Sequence, residues 1–274
     1  MTIFQAFVLG IIQGLTELLP ISSSAHLNLV PWMFGWNITE SFDVALHFGT
    51  LIAIILYFYK DWIELIVKKK DKKKDASQIN MKDSIKNLRR FPNKSKMLWY
   101  LVISTIPGGI IGFLLDHKIG DSLANNPLLI AIMLIIMGII LYIADKKLPE
   151  KTEYEDINFI QSFLIGLSQA LAFIPGVSRS GITMTTGRLL GVSREGSARY
   201  SFMLSMPIVL AATLYKAKDF VFDLPFIVGV ATSTIVGIIV IKFLLNYLKK
   251  GDFKVFAYYR VIVGIVVIIY HLTK

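Results

Sequence analysis

Long apolar runs without a single charge alternate with short polar segments along this chain. The run 127–144 holds eighteen uncharged residues in succession, and comparable runs occupy 97–115, 200–215 and 224–241. A bilayer core about 30 Å thick is crossed by a helix of roughly 20 apolar residues. The pattern therefore predicts an all-α integral membrane protein that crosses the bilayer several times.

Two polar segments interrupt sequence that would otherwise suit a bilayer. They read ELLPISSSAH at 17–26 and PGVSRSG at 175–181. Proline removes a backbone donor and disfavours helix in the residue before it, while serine is a good N-cap for a following helix. Each segment therefore predicts a helix, a break and a second helix, which together form a re-entrant helical hairpin and not a crossing.

The two breaks lie in one register of an internal repeat. Shifting the sequence by 156 residues aligns identical residues: Gly10 with Gly166, Gln13 with Gln169, Ser22 with Ser178, and Ser24 with Ser180. Chance matches of Leu or Ile are common in so apolar a chain, but matches of Gln, Gly and Ser in one register are not. We infer a single membrane domain, 1–274, built from repeats 1–150 and 151–274.

The second repeat is predicted to be inverted relative to the first. Three predicted spans, at about 44–67, 97–115 and 127–144, lie between the two breaks. Because an odd number of crossings separates them, the second hairpin enters from the opposite side of the membrane. In inverted-topology repeats of this kind, two interrupted segments typically meet near the midplane and build the binding site.

The distribution of charge predicts the orientation. The chain has a net charge of +10, and segment 68–96 alone holds twelve Lys or Arg against three Asp. Such a run would suit nucleic acid, but beside membrane spans it is typical of a cytoplasmic loop under the positive-inside rule. We therefore expect no nucleic-acid partner, a basic cytoplasmic loop at 68–96, and both termini outside. The chain contains no cysteine, which excludes disulfides and thiolate metal sites.

The two breaks carry the polar side chains expected of a phosphate site. The first contributes Glu17, Ser22, Ser23, Ser24 and His26, and the second contributes Ser178, Arg179, Ser180 and Thr183. A guanidinium, hydroxyls and free amides at helix N-termini bind phosphate oxygens well. Glu17 and His26 can move protons or hold a cation that bridges phosphates, and Ser23 or His26 could attack phosphorus.

A structural alternative exists for the same residues. Glu17 and Arg179 would then form an ion pair inside the helix bundle, and His26 would be a core histidine with satisfied hydrogen bonds. A charge inside the membrane is expensive, which favours the functional interpretation.

Other polar residues lie outside the breaks. Gln13 is one helical turn before Glu17 and shares its face, so it serves either the substrate or a hydrogen bond between helices. His47 and Thr50 are predicted to line the region of the phosphate site, and packing between helices is the alternative for His47. Three further arginines are interpreted mainly as interface or loop charges, with Ser193 capping the next helix: Arg188, Arg194 and Arg199.

The motifs GxxQGLTELLPISSSAH and PGVSRSG resemble those of the undecaprenyl-diphosphate phosphatase family, the bacterial bacitracin-resistance enzymes. The resemblance covers the whole chain, including the motif spacing and the segment ALHFGT at 45–50. It implies hydrolysis of undecaprenyl diphosphate to the monophosphate carrier lipid of cell-wall synthesis, in the bacterial cytoplasmic membrane. It also implies an inverted repeat with about six transmembrane helices and two re-entrant hairpins.

For the site, the resemblance implies catalytic roles for Glu17, Ser23, His26 and Arg179. It implies a divalent cation, Mg²⁺ or Ca²⁺, with Glu17 as a ligand, and an active site facing the outer side. The acidic first motif of the family maps onto Gln13 and Glu17, and the glutamine here argues against a mechanism with two carboxylates at these positions. The polyprenyl diphosphate would keep its tail in the bilayer, and a homodimer is left open.

A transporter is the alternative from another functional class. Broken helices in inverted repeats are also the plan of secondary transporters, so Arg179 and the serines would bind an anion that crosses without being cleaved. A flippase for a polyprenyl phosphate would combine both interpretations. Phosphate release in detergent, where no gradient exists, distinguishes hydrolysis from transport.

Overall fold

The computed structural model describes the backbone of residues 1–66, 94–124 and 126–273, and the side chains of 1–65, 96–111 and 126–273. Ten α-helices occur in these ranges: α1 (Ile3–Thr16), α2 (Ser23–Phe34), α3 (Glu40–Ile66), α4 (Lys94–Ala124), α5 (Pro127–Lys147), α6 (Phe159–Ser168), α7 (Arg179–Leu189), α8 (Arg194–Lys216), α9 (Leu224–Leu248) and α10 (Lys254–Thr273). Residues 68–93 of the basic loop predicted at 68–96 fall outside the described residues.

Five described helices, α3, α5, α8, α9 and α10, are long and apolar enough to cross a membrane. Helix α4 has 31 residues, and its part Lys96–Ile111 is apolar. Helices α1 and α6 have only 14 and 10 residues, and at about 1.5 Å per residue neither spans a 30 Å core. The prediction of an all-α membrane protein is confirmed, and the two short helices suit re-entrant hairpins.

Both predicted breaks are present, and each has the same local structure. Ser22 and Ser178 are the N-caps of α2 and α7, where their side chains accept hydrogen bonds from the amides of Ala25 and Gly181. Among the described residues they are the two non-glycine residues with positive φ, at 78° and 74°. This left-handed backbone costs about 1–3 kcal/mol and tends to occur at functional sites. The two breaks are therefore the candidate location of the functional site.

Helices of each half pack against helices of the other half, an arrangement that we call exchanged packing. Helix α1 packs along α9, and its counterpart α6 packs along α4; α3 packs on α8, and α5 on α10. The close approach of these helices needs glycine at matching positions. A Cβ atom added to Gly10 would lie 2.8 Å from the Gly229 oxygen, and one added to Gly166 would lie 2.3 Å from the Ser104 oxygen. Reciprocal packing of this kind is expected of two halves related by a twofold axis, and the repeat itself stays a prediction.

A buried ionic cluster closes the end of the bundle at which α5 and α7 finish. Arg188 is fully buried and donates to the Asp145 carboxylate at 3.0 Å and to the Val192 oxygen at 2.6 Å. Arg194 donates to the same carboxylate at 2.7 Å. Arg188 is therefore not a loop charge, because it holds the α7–α8 turn against α5, whereas Ser193 caps α8 as predicted.

Candidate functional site

A cavity of about 290 Å³ lies where the two breaks meet. Its walls are the start of α3, the second half of α8, and the 3₁₀ helix Gln169–Phe173 that precedes the second break. Its polar lining residues are Glu17, Ser23, Ser24, Asp43, His47, Gln169, Ser178, Arg179 and Thr213. The cavity thus collects side chains from both breaks.

Glu17 is at the centre of the polar groups. It directly follows α1, and the chain then reverses so that Ser23, the first residue of α2, donates from Oγ to Glu17 Oε2 at 2.5 Å. Arg179, the first residue of α7, donates from Nη2 to Glu17 Oε1. His47 Nε2 lies 3.4 Å from Glu17 Oε2. One carboxylate therefore joins both breaks to α3.

Arg179 is fixed at a second point. Its Nη1 atom donates to the backbone oxygen of Ser205 on α8 at 3.2 Å. The guanidinium is thus held in one orientation at the cavity wall by Glu17 on one side and α8 on the other. A planar guanidinium presented in this way can bind two phosphate oxygens at once.

Sequence reasoning missed Asp43, which lines the cavity beside His47. His47 Nδ1 lies 3.0 Å from the Asp43 backbone oxygen and 3.9 Å from its carboxylate Oδ2. The two residues are one turn apart on α3, so the spacing of an acid and a histidine at i and i+4 was the available signal. Asp43 gives the cavity a second carboxylate.

The two breaks are also joined directly. Ser180 Oγ donates to the Leu19 oxygen at 3.0 Å. Arg260 on α10, which is fully buried, donates to backbone oxygens on both breaks and on α5: Pro20 at 3.1 Å, Gly176 at 2.8 Å, Val177 at 2.9 Å and Leu134 at 3.3 Å. Arg260 was missed, although a lone arginine within an apolar span is itself a signal.

Several predicted site residues are not on the cavity wall. His26 Nδ1 contacts the Ser22 oxygen at 2.7 Å, and its Nε2 contacts the Tyr259 hydroxyl at 2.8 Å. Gln13 is fully buried behind Glu17, with a long 3.5 Å contact to Thr50 Oγ1. Their catalytic or substrate-binding roles stay predictions.

Three further predicted residues serve the backbone of the breaks. The Ser22 and Ser178 side chains cap their helices, although Ser178 also lines the cavity. Thr183 donates to the Arg179 backbone oxygen at 2.8 Å and contacts Ser201 Oγ at 2.7 Å. Thr183 therefore supports the turn of helix that begins with Arg179.

The cavity residues fit a cation that is shared with a phosphate. No group of three or more His, Asp or Glu side chains is arranged as a ready metal site within the described part of the chain. Mg²⁺, however, is commonly held by one or two carboxylates together with substrate phosphate oxygens. Glu17 and Asp43, both on the cavity wall, provide those carboxylates.

Comparison with known proteins shows extensive similarity. The family model for bacitracin resistance protein BacA matches residues 6–266. The undecaprenyl-diphosphatase of Pelotomaculum thermopropionicum is 52% identical over 98% of this chain and 97% of its own length. Proteins of the same name from Caldicellulosiruptor bescii (44%; 100% and 99%) and Moorella thermoacetica (43%; 98% and 97%) are also similar over their lengths.

Proposed function

Because this chain belongs to the bacitracin resistance protein BacA family, we propose that it is a membrane phosphatase that hydrolyses undecaprenyl diphosphate to undecaprenyl phosphate and inorganic phosphate. Three observations support the proposal: the shared name of its relatives, the apolar helices, and a cavity built from residues that suit phosphate. The product is the carrier lipid that cell-wall synthesis reuses, and its regeneration would give resistance to bacitracin.

The contact between Ser23 and Glu17 carries the proposed mechanism. Ser23 Oγ donates to Glu17 Oε2 at 2.5 Å, which is the arrangement of a nucleophile with its general base. Ser23 Oγ bonds to the terminal phosphorus, its proton passes to Glu17, and the bond from phosphorus to the bridging oxygen breaks. Undecaprenyl phosphate leaves, and water then hydrolyses the phosphorylated serine.

Negative charge that develops on the phosphoryl oxygens needs donors that are already in place. Arg179 supplies a guanidinium held by Glu17 and the Ser205 oxygen, and the free amides at the starts of α2 and α7 add partial positive charge. A divalent cation bound by Glu17 and Asp43 would neutralise further phosphate charge. His26, which contacts Tyr259, is proposed to support the first turn of α2.

We place the opening of the site on the outer side of the cytoplasmic membrane. The cavity is lined by residues near the start of α3, such as Asp43, and near the end of α8, such as Thr213. If the basic loop after α3 is cytoplasmic under the positive-inside rule, those two helix ends face outwards. Both termini are then outside, and the polyprenyl tail remains in the bilayer.

Ser23→Ala provides the test. The purified protein in detergent, with Mg²⁺ and undecaprenyl diphosphate, should release phosphate, whereas Ser23→Ala should be slower by about 10³-fold or more because the nucleophile is gone. Ser41→Ala is the matched control, since its hydroxyl contacts only Thr39 among the described contacts and should leave the rate unchanged. Normal turnover by Ser23→Ala would exclude the serine mechanism, and substrate movement in sealed vesicles without any phosphate release would favour the transporter.

A further inference from the structure

Two oxygen atoms on the cavity wall are buried and have no hydrogen-bond partner among the described residues: Gln169 Oε1 and Thr213 Oγ1. Gln169 is 2% exposed and Thr213 5%, and both residues line the cavity that contains Ser23. An unpaired buried polar atom is unfavourable, and such atoms usually have a specific reason in a native structure. Two of them on one small cavity indicate a ligand that supplies the missing bonds.

Among the described threonines, Thr213 is the one whose hydroxyl is buried without a hydrogen-bond partner. A threonine inside a helix commonly donates its hydroxyl to the carbonyl four residues earlier. Six others in the described helices do so: Thr16, Thr105, Thr183, Thr185, Thr234 and Thr273. The Thr213 hydroxyl makes no such bond and is therefore available to a molecule in the cavity.

The contacts of Gln169 define the chemistry of that molecule. Its amide nitrogen lies 3.5 Å from the backbone oxygens of Ser104 and Gly166. Reversing the amide would bring its oxygen against these two carbonyl oxygens, so the oxygen remains the unpaired atom. It can only accept a hydrogen bond. Phosphate oxygens are acceptors and a polyprenyl tail has no donor, whereas water donates two hydrogen bonds.

We propose that Gln169 and Thr213 bind the water molecule that hydrolyses phosphorylated Ser23. This inference rests on the serine mechanism given above. The water oxygen bonds to phosphorus, the bond from phosphorus to Ser23 Oγ breaks, the proton that Glu17 took from Ser23 returns to Ser23 Oγ, and inorganic phosphate leaves with both protons of the water. Gln169 accepts a hydrogen bond from the water, and Thr213 accepts or donates another. These two bonds hold a lone pair of the water oxygen towards the phosphorus.

The dimensions of the cavity allow this arrangement. A volume of about 290 Å³ holds a phosphoryl group together with water, which occupies about 30 Å³ per molecule in the liquid. Thr213 lies about two helical turns beyond Ser205, the residue to which Arg179 is anchored. Thr213 and the Ser205 oxygen that anchors the Arg179 guanidinium are therefore on the same helix, α8, at different depths.

The test uses substitutions that remove one oxygen and little else. Thr213→Val and Gln169→Met should each lower kcat roughly 3- to 10-fold, the equivalent of one hydrogen bond. KM should fall in the same proportion, because kcat/KM reports the earlier attack by Ser23, which should be unchanged. Thr213→Ser keeps the hydroxyl and should retain kcat. Thr105→Val is the matched control, since that hydroxyl bonds to its own helix at Leu101 and the residue does not line the cavity.

Acid-quenched reactions with substrate labelled in the terminal phosphate provide the second measurement. If water attack is impaired, Thr213→Val and Gln169→Met should retain more label on the protein than the unmodified chain does. A raised KM with unchanged kcat would overturn the proposal, because the residues would then bind phosphate. Unchanged kinetics in both variants, with Ser23→Ala inactive, would overturn the water-site proposal and leave the serine mechanism intact. Normal activity of Ser23→Ala would instead exclude the serine mechanism.

Discussion

At the scale of single residues, the site depends on one carboxylate with several partners. Glu17 bonds to Ser23 on its own hairpin and to Arg179 on the other, and it lies near His47 on α3. An ion pair inside a membrane and a catalytic pair were alternatives from sequence. The structure shows the ion pair on the cavity wall, and the catalytic role stays a prediction. The same guanidinium that neutralises Glu17 also faces the cavity in which a phosphate would bind.

Arg179→Lys tests this double use. The lysine keeps the positive charge, but its single ammonium cannot contact both Glu17 and the Ser205 oxygen in the fork geometry of the guanidinium. We expect kcat/KM to fall by about 10²-fold, a size typical of losing a preorganised donor. Phosphate release in detergent measures it, and near-normal turnover of the folded lysine variant would show that the fork does not bind the phosphates.

The sequence predicted that residues of the two breaks come together because chemistry and spacing coincide there. Glu17, Ser23 and Arg179 belong to two distinctive motifs at the breaks, and they meet in the structure. His26 was grouped with them but faces Tyr259 on α10. The direction of α2 depends on the left-handed φ of Ser22, and no sequence pattern indicates that a serine will adopt it.

At the scale of elements, the apolar runs predicted the helices well because a bilayer leaves the backbone few other conformations. What the pattern could not predict is which backbone oxygens a distant side chain contacts. Arg260 on α10 bonds to Pro20, Gly176 and Val177 in the two breaks. Those partners are backbone carbonyl groups, which every residue possesses, so the residue types at these positions do not indicate the contact.

Arg260→Met should therefore destabilise the junction of the two hairpins. The methionine fills similar space but removes every donor, and each buried carbonyl left without a donor costs roughly 1–3 kcal/mol. We expect a thermal unfolding midpoint several degrees lower in detergent, together with reduced phosphatase activity. Lys242→Met, an exposed change on α9, serves as control, and an unchanged midpoint for Arg260→Met would mean that the carbonyls find other donors.

At the scale of the whole molecule, the exchanged packing of the two halves puts the cavity at their meeting point. The cavity opens between the start of α3 and the end of α8. These helices occupy equivalent positions in the two predicted repeats, yet the polar groups they present differ. Asp43 and His47 come from α3, whereas the apolar Ile208 and Val209 line the cavity from α8. The two breaks build the cavity, and the differences between α3 and α8 make the α3 wall the more polar one.

Cysteine labelling tests the predicted orientation, since the native chain has no cysteine. In right-side-out vesicles, an impermeant thiol reagent should label Asp219→Cys after α8 and, more slowly, Ser24→Cys beside the cavity. It should spare Lys250→Cys, which lies between α9 and α10. Labelling of Lys250→Cys alone would invert the topology. Labelling of Ser24→Cys only in inside-out vesicles would keep the topology but place the opening on the cytoplasmic side.

The contacts of Arg260 have a consequence for biosynthesis. The ribosome delivers the two hairpins to the membrane long before α10, yet their backbone oxygens at Pro20 and Gly176 share a donor that only α10 carries. A nascent chain that has not yet inserted α10 holds all the motif residues without the guanidinium that joins them. We therefore expect the candidate site to be completed only when the last helix inserts, and products that terminate before α10 to be inactive although they contain both motifs.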